Sequence, residues 1–72
     1  MDHLTDLNFH HLRCFWAVAR EGGVGPAADA LGVGQPTVSA QVKRLERRLR
    51  VPLFAKAGRR LRLTEFGRTV YG

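Results

Sequence analysis

Three groups of helix-breaking residues divide this chain into segments, and their positions limit the fold more than any other feature. Gly22 and Gly23 stand together, Gly32-Val33-Gly34 comes next, and Pro52 follows. Glycine accepts the left-handed conformation that closes a helix, and proline cannot continue one. Because 72 residues leave room for a single small core, we expect one compact, mainly α domain.

The first two segments show helical patterns. Asn8 is expected to cap the first helix, which Gly22-Gly23 ends. Four residues then recur at i, i+3, i+4 and i+7 and predict its core face: Leu12, Phe15, Trp16 and Ala19. A second, short helix is expected to begin at Pro26, whose fixed φ suits a first helical position, and to run to Leu31.

The third segment predicts a helix from about Gln35 to Arg50, because no breaker follows Pro36 until Pro52. At about 100° per residue, its apolar residues form one narrow seam. The seam consists of Val38, Val42, Leu45 and Leu49. The opposite face is small, polar and basic, and it carries Pro36, Ala40, Lys43 and Arg47.

Beyond Pro52 the pattern changes to short extended pieces, Leu53-Phe54 and Arg60–Leu63, separated by residues 56–59. This pattern predicts a β-hairpin with a positive φ at Gly58. Leu61 and Leu63 alternate with arginines, so one side of the second strand is expected to pack on the domain. Thr64 is expected to cap a last helix.

Composition excludes several classes of protein. The content of 44% hydrophobic residues is typical of a globular domain and not of a disordered segment. Cys14 is the single cysteine, so no intramolecular disulfide can form, and we expect a cytoplasmic location. No stretch approaches the roughly 20 apolar residues of a membrane span, and no secretory signal opens the chain.

The positive charge is concentrated in the second part of the chain. The net charge is +6, yet residues 1–42 hold two arginines against four acidic residues, whereas residues 43–72 hold ten basic residues against two acidic ones. A charge distribution of this kind indicates a polyanionic partner, although a solvated surface alone would show the same excess.

Ala28, Gly32 and Val38 have the spacing of a helix-turn-helix. The small alanine lets the two helices approach, the glycine reverses the chain, and the branched valine packs between them. With the hairpin behind it, the sequence predicts a winged helix-turn-helix whose third helix reads the major groove of DNA.

The exposed face of the third helix and the hairpin supply the candidate DNA contacts. The amide of Gln35 is expected to bond to adenine, and Pro36 and Thr37 are expected to contact a thymine methyl. The hydroxyl of Ser39 is expected to bond to a base or a phosphate. The phosphate contacts are expected from Lys43, Arg44 and Arg47, and the minor-groove contacts from Lys56, Arg59 and Arg60. A second interpretation of Gln35 is a helix cap, and Arg62 is expected to be only a solvated charge.

Other chemistries are less well supported by the sequence. His10, His11 and Cys14 do not complete a structural zinc site, so no metal or cofactor is expected in this domain. No paired carboxylates, nucleophile with a base, or phosphate-binding glycine loop is present, so no enzymatic activity is expected. Two alternatives stay open: a non-specific basic domain that binds RNA, and a protein interaction module that pairs through the first and last helices.

Short motifs covering nearly the whole chain resemble the N-terminal domain of LysR-type transcriptional regulators. The motifs are Ala27-Ala28-Asp29-Ala30-Leu31, Gln35-Pro36-Thr37-Val38-Ser39, Leu45-Glu46, Leu49, Val51-Pro52-Leu53-Phe54, Gly58-Arg59, Leu63-Thr64 and Gly67. The pair Phe15-Trp16 with Gly22-Gly23-Val24 is similar to the branch that regulates sodium/proton antiporters.

The resemblance implies a DNA-binding domain over residues 1–63 and the start of a linker helix over residues 64–72. It also implies a homodimer or tetramer of the full-length protein, with this fragment monomeric or weakly dimeric. An effector-binding domain of periplasmic-binding-protein type, for a small molecule or ion, would follow the full linker. Neither lies within these 72 residues.

Three positions depart from the family pattern. Gly34 stands where the family usually has serine, so the third helix lacks an N-cap hydroxyl. Ala40 occupies a position where many members place a long polar residue against a base. Lys56 replaces the common wing arginine and keeps its charge without the planar fork.

Overall fold

The computed structural model describes the backbone of residues 2–72 and the side chains of residues 9–72. Within these ranges the chain forms helices α1 to α4 and strands β1 and β2. The helices span Asp2–Glu21, Val24–Leu31, Gln35–Leu49 and Glu65–Tyr71, and the strands span Phe54–Ala57 and Arg60–Leu63. None of the described helices combines the length and the apolar character that a membrane crossing requires. The mainly α winged helix-turn-helix predicted from the sequence is confirmed.

Helix α1 begins before the predicted cap. It starts at Asp2, so the backbone of Asn8 lies inside the helix and the prediction of an N-cap there is wrong; the Asn8 side chain lies outside the described residues. Residues 2–8 contain neither glycine nor proline, so the backbone can continue the helix on the N-terminal side of Asn8. Its C-terminal end is as predicted, since Gly22 has a φ of 83° and donates its N–H to the Val18 carbonyl.

The core uses a different stripe of α1 from the one predicted. The buried side chains are those of His11, Cys14, Phe15, Ala17 and Val18. The predicted core face is correct for Phe15, and Ala19 is half-buried. The prediction is wrong for Leu12 and Trp16, whose side chains are 37% and 56% exposed. The reason is packing, because Ala17 and Val18 meet Ala27 and Ala28 of α2 in one cluster. Small residues allow that close approach of the two helices, which large side chains at the contact would prevent.

Helix α2 begins two residues earlier than predicted, at Val24, so Pro26 is not its first residue. Proline is still in the first turn, where its missing N–H costs no helical hydrogen bond. Gly32 closes α2 with a φ of 71°, and α3 starts three residues later at Gln35. The short turn and the burial of Ala28 and Val38 confirm the helix-turn-helix spacing.

Helix α3 packs on α1 and α2 through the predicted seam, except at its last residue. Val38, Val42 and Leu45 are buried, whereas Leu49 is 39% exposed. The helix ends at Leu49, and Arg50 follows in the left-handed conformation with a φ of 62°, so no further helical turn extends the seam. The prediction for Leu49 was therefore wrong because the seam ends with the helix.

Strands β1 and β2 form an antiparallel hairpin, here called the wing, in which Phe54 pairs with Leu63 and Ala57 pairs with Arg60. The first strand lies further along the chain than predicted, since it excludes Leu53 and includes Lys56. Gly58 has a φ of 67°, as a two-residue hairpin turn requires.

Thr64 joins the wing to α4 as the predicted cap. Its Oγ1 accepts a hydrogen bond from the Gly67 N–H at 3.0 Å and donates one to the Pro52 carbonyl at 2.8 Å. A Cβ at Gly67 would overlap the carbonyl oxygen of Leu53, so only glycine permits α4 to lie this close to the start of the wing.

Candidate nucleic-acid interface

The first turn of α3 is exposed and carries the predicted base-reading side chains. Gln35, Pro36 and Thr37 are all exposed. Gly34 is the N-cap residue, and no side chain caps the helix. The interpretation of Gln35 as a helix cap is therefore wrong. Its amide lies beside Gly25 of α2 instead, where a Cβ would stand 3.5 Å from Gln35 Nε2.

The middle of α3 faces the wing across a small cavity of about 200 Å³. Ser39 is half-buried there, and Lys43 and Lys56 also line the cavity. Ser39 is thus less accessible than the residues of the first turn, whereas Lys43 and Lys56 are exposed and bring a positive charge from each side. Ala40, on the outer face, is exposed.

Glu46 holds α3 and the wing together. One carboxylate oxygen, Oε2, accepts hydrogen bonds from the backbone N–H groups of Leu53 and Phe54, at 2.7 and 3.3 Å. Hydrogen bonds to a charged acceptor are stronger than those between neutral groups. This role of Glu46 was not predicted from the sequence, although Glu46 is the single acidic residue within the basic run of residues 43–50.

The remaining cations of α3 point in two directions. Arg47 is exposed and lies near Lys43, since both line one cleft. Arg44 and Arg48 line a second cleft with His11 of α1, and Arg47 lines both clefts. The structure therefore places Lys43 on the predicted outer face, Arg47 between the two clefts, and Arg44 beside α1.

The wing places its cations at different distances from its tip. Arg59 is exposed in the turn, and Lys56 lies on β1 toward α3. Arg60 reaches back to the α1–α2 turn, because a Cβ at Gly22 would stand 2.7 Å from its Nη2. The Leu61 N–H donates to the Gly22 carbonyl at 3.4 Å, so the wing is attached at this point. Arg62 is exposed.

The charges of this surface are not balanced within the described part of the chain. Among residues 9–72 the one ion pair joins Arg20 to Glu21 at 3.3 Å, so it involves no side chain of α3 or the wing. The basic side chains of α3 and the wing therefore keep their charge available for an anionic partner.

The residues considered for metal binding do not form a cluster. No group of three metal-ligating side chains occurs among the residues that the structure describes. Cys14 is buried, and burial raises the pKa of its thiol despite the opposing charge of Arg13. A thiol with a raised pKa is a weaker nucleophile and a weaker metal ligand at neutral pH.

The family model for bacterial regulatory helix-turn-helix proteins of the lysR family matches residues 9–68. The chain belongs to the LysR family. This confirms the resemblance seen in its motifs.

Individual relatives agree with this assignment. A probable RuBisCO transcriptional regulator of Trichormus variabilis is 53% identical over an alignment of 66 residues, and the match covers 89% of this LysR-family chain and 20% of the relative. The transcriptional activator protein NhaR of Escherichia coli is 41% identical over 68 residues, which are 94% of this chain and 23% of NhaR. The chain thus spans about a fifth of the length of these curated relatives. Because one of these relatives is named as a RuBisCO regulator and the other as NhaR, the assignment of this chain to the antiporter-regulator branch stays a prediction.

The solved CbnR DBD–DNA complex shares the fold. It superimposes with a TM-score of 0.83 at 36% sequence identity, and the match covers 88% of this chain and 72% of the CbnR chain.

Proposed function

We propose that this LysR-family domain binds double-stranded DNA sequence-specifically, with α3 in the major groove and the wing at the minor groove. The observation that carries this proposal is the difference between the buried and the exposed faces of α3. Its apolar seam is buried from Val38 to Leu45, while its first turn and its basic outer face are exposed. The similarity to the CbnR DBD–DNA complex supports the same orientation.

The exposure of each residue supports a division of roles. Gln35, Pro36 and Thr37 contact base edges, and Ser39, which is half-buried, contributes a hydroxyl from the side of α3 that faces the wing. Lys43, Arg44 and Arg47 neutralise phosphates along α3. On the wing, Lys56 and Arg59 approach the minor groove or its backbone, and Arg60 does so from the first position of β2, beside the hairpin turn.

Self-association is proposed through the apolar surface that α1 exposes. Phe9, Leu12, Trp16 and Val70 line an apolar cleft between α1 and α4, and Tyr71 stacks edge-on against Trp16 with ring centroids 6.5 Å apart. An exposed apolar patch of this kind marks an interaction site. We propose that a second copy covers it in a full-length homodimer or tetramer, and that this chain alone is monomeric or weakly dimeric.

We also propose that the domain acts in the cytoplasm by binding and not by catalysis, and that it needs no cofactor of its own. A small molecule or ion acts as the effector of the full-length regulator at a separate C-terminal domain.

A titration of labelled duplex at several salt concentrations tests DNA binding. Specific binding predicts a slope of about −0.9 in log K against log salt for each phosphate contacted, together with a preference for an A/T-containing inverted repeat. Heparin and double-stranded RNA serve as controls. Equal affinity for all three polyanions would favour non-specific basic binding instead.

A further inference from the structure

A second cleft lies at the junction of α1 and α3. Its lining consists of His11 from α1 and of Arg44, Arg47 and Arg48 from α3, and its volume is about 290 Å³. The three arginines stand at i, i+3 and i+4, so their side chains project from one side of the helix. The cleft thus brings three guanidinium groups together opposite one imidazole.

His11 is buried there without a hydrogen-bond partner. The side chain is 2% exposed, and its Nδ1 atom bonds to no group among residues 9–72. Burial first, and then the charges of Arg44, Arg48 and His10, lower the pKa of His11. A buried polar atom without a partner costs free energy, so this nitrogen favours a ligand that could bond to it.

Arg44, Arg47 and Arg48 form neither a hydrogen bond nor an ion pair with any group among residues 9–72. Guanidinium groups bind phosphate through two parallel N–H donors each, which is the strongest recognition available to a basic side chain. An anion between them would relieve their mutual repulsion.

We propose that this cleft is an oxyanion site for a phosphate group, held by Arg44, Arg47 and Arg48 with His11 as a further donor. The site shares Arg44 and Arg47 with the proposed DNA interface and adds His11 and Arg48, which have no part in that interface. A free phosphate and a phosphodiester of a nucleic acid offer the same oxygens. The chemistry of the site is shared by both sources.

Histidine NMR on the 72-residue chain tests the site, with inorganic phosphate added against sodium chloride of equal ionic strength. Phosphate is expected to shift the ring resonances of His11, to leave His10 nearly unchanged, and to raise the pKa of His11. Arg48→Gln should weaken phosphate binding about tenfold, the effect of losing one charge-assisted hydrogen bond.

Arg62→Gln is the matched control, because it removes the same charge from an exposed position on β2. It should leave phosphate binding unchanged within about twofold, as expected for a distant surface charge. The proposal is overturned if phosphate acts no differently from chloride, or if the two variants weaken binding equally.

Duplex binding by the same variants identifies the source of the phosphate. If a backbone phosphodiester fills the cleft, Arg48→Gln lowers affinity for every duplex and reduces the salt slope by about one. If a free oxyanion fills it, Arg48→Gln weakens phosphate binding by the same tenfold and leaves duplex affinity unchanged. Failure of sequence-specific DNA binding would not alter the phosphate result, so the two proposals can fail separately.

Discussion

Helices α1 and α3 pack against each other, yet they differ in the faces that they turn away from the core. The outer face of α3 is polar and basic, and Lys43 and Arg47 are exposed on it. The exposed side of α1 carries an apolar patch of Phe9, Leu12 and Trp16 beside Arg13. A basic face suits a polyanion, whereas an apolar face suits another protein surface. The outer faces, more than the shared core, therefore distinguish the partners of the two helices.

The largest expected effect comes from the inner face of α1. Phe15 is fully buried and lies 5.4 Å from Phe54 and 6.2 Å from Tyr71 between ring centroids. Phe15→Ala should lower the free energy of unfolding by about 3–5 kcal/mol, measured by urea denaturation.

The control is Phe9→Ala, the same substitution on the outer face, where the side chain is 64% exposed. It should change the free energy of unfolding by about 0.5 kcal/mol or less. Equal losses for the two variants would show that α1 does not have one inner and one outer apolar face.

The outer face of α3 is tested by two substitutions that should differ in kind. Gln35→Ala should cost about 1–3 kcal/mol on the cognate duplex and relax the preference at one base position. Lys43→Ala should weaken binding to all duplexes alike, because a phosphate contact carries no sequence information. Binding to a panel of single-base variants of the site separates these outcomes; identical profiles for the two variants would contradict the assigned roles.

The junction between the two helices should respond to pH. Since the pKa of His11 is lowered from 6.5, the folded state favours its neutral form. The stability that this provides is complete above pH 6.5 and is lost as the pH falls below that value toward the lowered pKa. Urea denaturation between pH 5 and pH 7 should therefore show stability falling with acidification.

His11→Gln should flatten this pH dependence, and His10→Gln, at the exposed neighbouring position, should leave most of it in place, because the charge of His10 is the smallest of the causes that lower the pKa of His11. The slope is compared rather than the absolute stability, because a substitution at a buried site also changes packing. An unchanged slope in His11→Gln would rule out His11 as its origin.

The smallest effect on stability is expected at Trp16, which is 56% exposed. Trp16→Ala should lower the free energy of unfolding by about 1 kcal/mol or less, because the site is already largely hydrated. Self-association at high concentration, measured by analytical ultracentrifugation, should nevertheless decrease. Unaltered association would exclude this surface from the contact between copies.

The same two helices show what could be predicted from the sequence. Helix α3 has one apolar seam facing a polar side, so its inward residues could be predicted down to Leu45. In α1 two stripes have helical spacing, and the stripe with Leu12 and Trp16 contains larger side chains than the one with His11. The choice between them depends on the close contact with Ala27 and Ala28 of α2, which no local pattern contains.

The candidate site divides in the same way. Residue type and helical position were enough to predict that Gln35, Pro36 and Lys43 are exposed. The orientations of Arg44 and Arg60 were not predictable, because they depend on α1 and on the α1–α2 turn. The hydrogen bonds from Leu53 and Phe54 to Glu46 likewise join segments whose pairing appears only in the folded chain.

Those bonds to Glu46 have a mechanical consequence. They attach the base of the hairpin to α3, so the distance between the two proposed DNA-contacting elements is fixed. A duplex whose major and minor grooves match that distance contacts both elements, whereas a duplex with wider or narrower grooves must first deform. Local DNA geometry, at base pairs that no side chain touches, would then contribute to the choice of target.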